Sequence, residues 1–344
     1  MRLIIPEGYK PLLTLKETEK AIQMMKDHFE SGLSSDLRLR RVTAPLFVLK
    51  GTGLNDELHG FEKPIIFPIK DMRGQEAEVV QSLAKWKRMM LRDYDIQTGY
   101  GIYTDMNALR PDEELDNLHS VYVDQWDWEK AILPEQRNLD YLKFTVRRVW
   151  ENVKRSEFFI HSFYSHITPF LPEEITFIHS EQLFEMYPDL PPKDRESKIA
   201  EKHGAVFIIG IGHDLPDGRP HDRRAPDYDD WITETEGGYR GLNGDIIVWN
   251  HVLKCPAEIT SMGIRVDKDE LMQQLEITGQ TGKTELLFHR RLLNDELPSS
   301  IGGGIGQSRT AMQLLKKAHI GEIQSAIWPG EMVTHCLKSG IRLI

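Results

Sequence analysis

The stretch Ser120-Val121-Tyr122-Val123-Asp124-Gln125-Trp126-Asp127-Trp128-Glu129 decides how this chain is built. It reads as a strand, and period two puts Val121, Val123, Gln125, Asp127 and Glu129 on one face with Tyr122, Trp126 and Trp128 on the other. Two tryptophans on one face call for burial, so the polar end of the opposite face points into a pocket rather than into bulk water. Just upstream, Leu109-Arg110-Pro111-Asp112-Glu113-Glu114 links this strand to another extended pattern, Tyr100 to Leu109. Arg110 precedes a proline and is biased toward extended backbone. That places it at a strand end beside a hairpin loop, where a guanidinium fork can clamp a phosphate.

Further extended patterns run over Ile65 to Ile69, Ile175 to His179, Ala205 to Gly210, Asp245 to Val252 and Ile259 to Val266. Thr14-Leu15-Lys16-Glu17 has capping-box form and precedes Ile22, Met25 and Phe29 at helical spacing, predicting an opening helix that ends near Gly32. Val42, Ala44, Leu46 and Val48 alternate around Pro45, as an edge or interface strand over Leu37 to Leu49 would. Helical patterns cover Leu83 to Asp93, Leu139 to Ser156, Lys193 to His203, Asp269 to Ile277, Glu285 to Leu293 and Arg309 to Ala318. Strands cluster without regular βαβ alternation, which predicts an α+β fold with a mainly antiparallel sheet flanked by helices. No repeat or long linker divides the chain, so a single catalytic domain over 1–344 is expected. The polar stretch from His213 to Gly238 is long enough to be a lid or binding loop.

Composition narrows the function classes. The 344 residues are 40% hydrophobic with a net charge of −10, which allows a substantial core and gives no broad basic face for nucleic acid. The longest strongly apolar run, Ala205 to Ile211, is too short to span a bilayer, so neither a membrane nor a nucleic acid is an expected partner and a cytoplasmic location is. Cys255 and Cys336 are the two cysteines, far apart and without metal-ligand spacing, which argues against a disulfide framework or structural zinc.

Near the C-terminus, Ile301-Gly302-Gly303-Gly304-Ile305-Gly306-Gln307-Ser308-Arg309 runs from glycines into an arginine at a helix start. Glycines let backbone approach a flat ligand, and the arginine can meet a phosphate, so the stretch reads as a nucleotide site. By itself it reads first as a flexible turn before a surface helix with a solvated arginine.

Taken together, the strand with Pro45, Arg110 at a strand-loop-strand hairpin and the glycine-rich strand leading to Arg309 resemble the three motifs of class II aminoacyl-tRNA synthetases. The segments Gln81 to Arg88, His119 to Glu129, Arg224 to Trp231, Gly241 to Asp245 and Ser261 to Arg265 resemble the aspartate–ammonia ligase family more closely, in order and over nearly the whole chain. The resemblance implies an ATP-dependent, AMP-forming amidation of aspartate by ammonia through a β-aspartyl adenylate. A carboxylate attacking a phosphate meets like-charge repulsion, so such a site must supply cations and hold the reactants in line. The resemblance assigns Arg110 to the α-phosphate and Arg309 to the adenosine or γ-phosphate side. It places Mg²⁺ on Asp245 and Glu258, which a turn around Pro256 can bring together. Lys87 and Arg265 become the aspartate-carboxylate readers, with Ser261 and Arg224 beside them. Asp56, Gln125, Asp127 and Asp229 are candidates for the substrate ammonium, one acid also serving incoming ammonia. By spacing alone, Lys85, Lys87 and Arg88 could equally decorate an exposed helix.

Glutamine as nitrogen donor would need a cysteine nucleophile at the mature N-terminus or in a glutaminase domain. The chain begins Met1-Arg2 and leaves no segment for one, so free ammonia is expected. The resemblance to the first class II motif further implies a homodimer. A synthetase that charges tRNA would carry an anticodon-binding barrel, for which no segment is spare. A synthetase-like module that only binds an amino acid or nucleotide would lack one of Arg110, Arg309, Asp245 or Glu258, and all four are present.

Overall fold

The computed structural model describes residues 3–58 and 62–344; Met1 and Arg2, which bear on the nitrogen-donor argument, lie outside them. The chain opens with α1 (Leu15–Leu37), β1 (Leu39–Arg41), β2 (Phe47–Leu49), β3 (Ile66–Pro68) and β4 (Glu76–Val79). There follow α2 (Ala84–Asp93), β5 (Gly101–Leu109), β6 (Tyr122–Ala131), α3 (Leu139–Phe163), β7 (Thr176–His179), α4 (Ser180–Met186), α5 (Pro192–His203) and β8 (Ala205–Ile209). The C-terminal third adds β9 (Asn243–Asn250), β10 (Cys255–Ile264), α6 (Lys268–Ile277), α7 (Leu287–Leu293), β11 (Ser300–Gly306), α8 (Gln307–Leu314) and α9 (Gly330–Lys338).

Eight strands form one sheet in the order β1-β5-β6-β11-β10-β9-β8-β7. The inner six pair antiparallel, and only the two edges are parallel, β1 on β5 and β7 on β8. The expected mainly antiparallel α+β sheet is therefore what forms. Trp126 and Trp128 are fully buried in the main core with α1, α3 and α8 residues, Phe29 stacking on Trp126 at 4.3 Å. Helices thus close one face, and the alternation in β6 leaves Gln125 and Asp127 for the other.

Three sequence expectations need correcting. Helix α1 continues past Gly32 to Leu37, its capping box at Thr14 being present as expected. Gly32 is no terminator, because a Cβ there would sit 2.0 Å from the Asn152 side chain of α3, so the glycine serves close helix packing. Leu37 to Leu49 is not one long edge: β1 joins the large sheet, while β2 leaves Pro45 behind and pairs with β4 in a separate three-stranded sheet ordered β2-β4-β3. Finally, Lys85, Lys87 and Arg88 do not decorate an exposed helix. All three are buried on α2, at 2%, 1% and 2% exposure. Charges that deep demand partners, and those partners build the site.

Candidate active site

A cavity of about 580 Å³ opens over the face of the sheet opposite the tryptophans, within the range that encloses small organic ligands. Strands β6, β10 and β11 form its floor, α2 and the start of α8 two of its sides, and the segment 222–229 another wall. Arg110, Arg309, Lys87, Gln125, Asp127, Arg224, Asp229, Ser261, Arg265 and Glu258 all line it. Residues spread over some two hundred positions therefore meet as the sequence reading required. Asp56 and Asp245 are absent from the lining.

At the inner end, Lys87 bonds the Asp127 carboxylate and the carbonyls of Trp128 (3.0 Å) and Gly303 (3.3 Å). Burial pushes the Asp127 carboxyl above its ordinary value against the pull of Lys87. Asp127 Oδ2 has no hydrogen-bond partner among the described residues. Arg265 is gripped from both sides, its Nη2 2.8 Å from Glu129 Oε2 and its Nη1 on Asp229 Oδ1. Burial alone would raise Glu129, yet Arg265, aided by the Ser300 hydroxyl at 2.7 Å, holds it below the usual glutamate value. A guanidinium carries five N–H donors. These pairings leave one N–H on each terminal nitrogen of Arg265 for an incoming carboxylate.

The glycine run explains how so many charges fit. A Cβ on Gly302 would lie 1.9 Å from Glu129 Oε2, and one on Gly304 2.3 Å from Gln125 Oε1. Bare backbone in β11 makes room for the carboxylate and carboxamide of β6 beside it. Asp56 stands one layer behind this end. Its oxygens accept from Ala84 N–H (2.6 Å) at the start of α2, and Lys85 lies 3.6 Å away, so it orders the wall rather than facing the cavity. Lys85 also reaches Asp227 at 3.1 Å, and His289 meets the same carboxylate at 3.0 Å.

The outer end is paired differently. Arg110 donates to the Gln81 carbonyl at 3.2 Å, and its Nε–H has no partner among the described residues. Burial lowers its pKa from the usual arginine value, opposed by Glu113 and reinforced by Arg309. Arg309, in the first turn of α8, reaches the carbonyls of Leu118 (3.2 Å) and Glu258 (3.3 Å) and the Glu258 carboxylate only at 3.8 Å. Two cations without a close carboxylate partner describe a place for an anion. Asp245 and Glu258 lie on neighbouring strands as expected, with a bulge between Glu258 and Thr260 shifting their register. Asp245 is covered by Arg224, its Oδ1 is buried without a partner among the described residues, and burial, with Glu258 nearby, raises it to about 6 despite Arg224. An orphaned carboxylate oxygen and a loosely held second carboxylate fit a hard divalent cation shared with phosphate.

The polar loop proves to be a pinned wall. Gln274 of α6 donates to the carbonyls of Pro226 (2.8 Å) and Asp229 (3.0 Å) and accepts from Trp231 N–H, while Arg265 forms a β-bridge with Asp229. The sequence reading missed Lys193 of α5, Arg223, and Ile320 with Gln324 from the segment after α8, all of which line the cavity. Only Arg223 carried a local signal, as neighbour of Arg224. Gln324 donates to the Tyr122 carbonyl at 3.0 Å, far from it in sequence.

This sheet and site define a class. Asparaginyl-tRNA synthetase from Pyrococcus horikoshii, solved with asparaginyl-adenylate, superposes with a TM-score of 0.65 over 91% of this chain and 70% of that one at 16% identity. An asparaginyl-tRNA synthetase from Entamoeba histolytica, also with asparaginyl-adenylate, matches at 0.65 over 90% of this chain and 66% of its own, at 14% identity. The fold is thus that of a class II aminoacyl-tRNA synthetase catalytic domain. Residues 16–340 match the family model described as aspartate-ammonia ligase. The aspartate–ammonia ligase of Bacteroides fragilis is 58% identical over 342 residues, 99% of each chain, and that of Clostridium perfringens 52% identical over 343 residues, 100% of this chain and 99% of that one. The chain belongs to the aspartate–ammonia ligase family.

Proposed function

We propose that the cavity makes asparagine from L-aspartate and ammonia at the expense of ATP, with AMP and pyrophosphate as the other products. The observation that carries this reading is the division of one cavity into an inner end of paired charges and an outer end where Arg110 and Arg309 lack a close acidic partner among the described residues. Aspartate brings two carboxylates and one ammonium, so its pocket needs cations and acids together. Lys87 and the remaining N–H groups of Arg265 suit the carboxylates. Asp127 and Asp229 each keep one carboxylate oxygen without a hydrogen bond among the described residues, which suits the substrate ammonium and the incoming nitrogen.

In the first step an oxygen of the substrate β-carboxylate attacks the α-phosphorus, and the bond to the departing pyrophosphate breaks. Arg110 neutralises the α-phosphate and Arg309 the adenosine or γ-phosphate side, which removes the repulsion between the two anions. In the second step the ammonia nitrogen attacks the activated carbonyl carbon and AMP leaves, one of the two inner acids taking the surplus proton. Asp245 and Glu258 would hold Mg²⁺, which when bound screens the phosphate charge. With the metal in place, Arg224 would be released from Asp245 to meet a substrate oxygen.

The residues act as one catalytic domain, which we further propose works as a two-fold dimer through the segment around Pro45. Leu46, Phe47, Leu49, Ile65 and Ile66 are 37% to 51% exposed there, an apolar patch that an isolated chain would leave in water. Light scattering tests the dimer, and a fully active monomer contradicts it. The activity is tested by incubating the protein with aspartate, ATP, Mg²⁺ and labelled ammonium. Labelled asparagine with AMP and pyrophosphate is expected; ADP and inorganic phosphate, or efficient turnover with glutamine instead, would refute the mechanism.

A further inference from the structure

Beyond the residues so far given roles, the cavity has one cation whose surroundings are peculiar. Lys193 sits in the first turn of α5 and lines the outer end, while its side chain remains 71% exposed. Its ammonium lies 3.2 Å from both oxygens of Glu196 one turn along the helix. Glu196 itself is buried, and its Oε1 also meets His221 Nε2 at 3.1 Å. His221 is buried and directly precedes Asp222, Arg223 and Arg224, which line the same part of the cavity. One buried carboxylate therefore latches two things together: the helix turn that presents Lys193 and the loop that presents the arginines. Glu258 and Asp222 are within electrostatic reach of the lysine, which locates it at the phosphate end and not at the aspartate pocket.

Chemistry selects the ligand. Arg110 and Arg309 approach from the β5–β6 hairpin and α8, whereas Lys193 stands on α5 at the open rim, where a leaving group departs. The lysine is exposed although its glutamate is buried, so the ammonium can swing from Glu196 to a polyanion while the carboxylate keeps its contact with His221. A compact ammonium on a flexible stem meets phosphate oxygens as a point charge and can follow them as the diphosphate moves outward. We propose that Lys193 binds the β- and γ-phosphates of ATP and the pyrophosphate they become, with Glu196 and His221 as positioning residues. This rests on the AMP-forming reading above.

The test separates the two halves of the nucleotide. Product inhibition by pyrophosphate and by AMP is measured for the parent protein, Lys193→Ala and Lys193→Arg, with the Michaelis constants for ATP and aspartate alongside. In Lys193→Ala, pyrophosphate inhibition should weaken about tenfold and the ATP constant should rise, while the AMP and aspartate values hold within about twofold. Arginine at the same position should restore most of the loss. Unchanged pyrophosphate inhibition overturns the proposal, and so does equal weakening for AMP and pyrophosphate, which would mean a merely structural wall. A parent protein that releases ADP defeats the AMP-forming reading itself. One that releases AMP but shows no difference on losing Lys193 defeats only the assignment of the lysine.

Discussion

The two ends of the cavity differ in how their charges are settled before any substrate arrives. At the inner end Lys87 already has Asp127, and Arg265 already has Glu129 and Asp229, all at 3% exposure or less. At the outer end Arg110 has no carboxylate partner among the described residues, and Arg309 has one only at 3.8 Å. Burying an ion costs several kcal/mol unless it is paired, so a pocket for a small zwitterion must carry its own counterions and is part of the core. A pocket for a polyphosphate can leave its cations half-satisfied, because the ligand brings the missing charge. The first end should therefore resist change by losing stability, the second by losing rate.

Glu129→Ala gives the sharpest form of that contrast. Removing the carboxylate leaves the buried Arg265 with Asp229 alone, and a loss of about 3–5 kcal/mol in unfolding free energy is expected by denaturant titration. A loss below about 1 kcal/mol would mean that the inner pairs are not structural. Arg110→Ala should do the reverse, lowering kcat/KM by about 10² to 10³ while the unfolding midpoint stays close to that of the parent. A variant that unfolds early, or keeps near-normal turnover, breaks the comparison from the other side.

The support beneath the outer end is sensitive to acid. His319 is fully buried, its Nδ1 accepts the Gly321 N–H at 3.0 Å, and burial lowers its pKa to about 4. Its folded value lies below the unfolded one near 6.5, so its contribution is complete above pH 6.5 and is lost as pH falls toward 4. Thermal unfolding should show that slope, worth roughly 3 kcal/mol at most. His319→Asn, which keeps an acceptor without the titration, should flatten it, and an unaltered slope counts against His319 as the source. The smallest effect belongs far from both ends. Thr14→Ala removes the side-chain cap of α1 and should cost about 1 kcal/mol with no change in either substrate constant. A shift in the aspartate or ATP constant would show that stability and binding are not separable as argued.

Much of this was legible in the chain because it depends on local periodicity. The alternation of Gln125, Trp126, Asp127 and Trp128 sorts core from site in any strand with one buried face. The antiparallel sheet, the hairpin carrying Arg110 and the strand-to-helix step at Arg309 follow from patterns only a few residues long. Long-range pairing was not legible. Nothing near Lys85 announces that Asp227, 142 positions away, will neutralise it, so α2 could be read as a solvated helix. Asp56 looked like a pocket acid and turns out to hold the start of α2. Lys193 carried no signal, since its place in the cavity depends on a glutamate one turn on and a histidine from a distant loop. The sequence by itself determined which faces are apolar, which residue types the chemistry had at its disposal, and, through its resemblance, the family. Only the tertiary structure decided which charges neutralise one another and which are left for a ligand. Backbone periodicity is set by neighbours in the chain, whereas Coulomb energy and desolvation are set by neighbours in space.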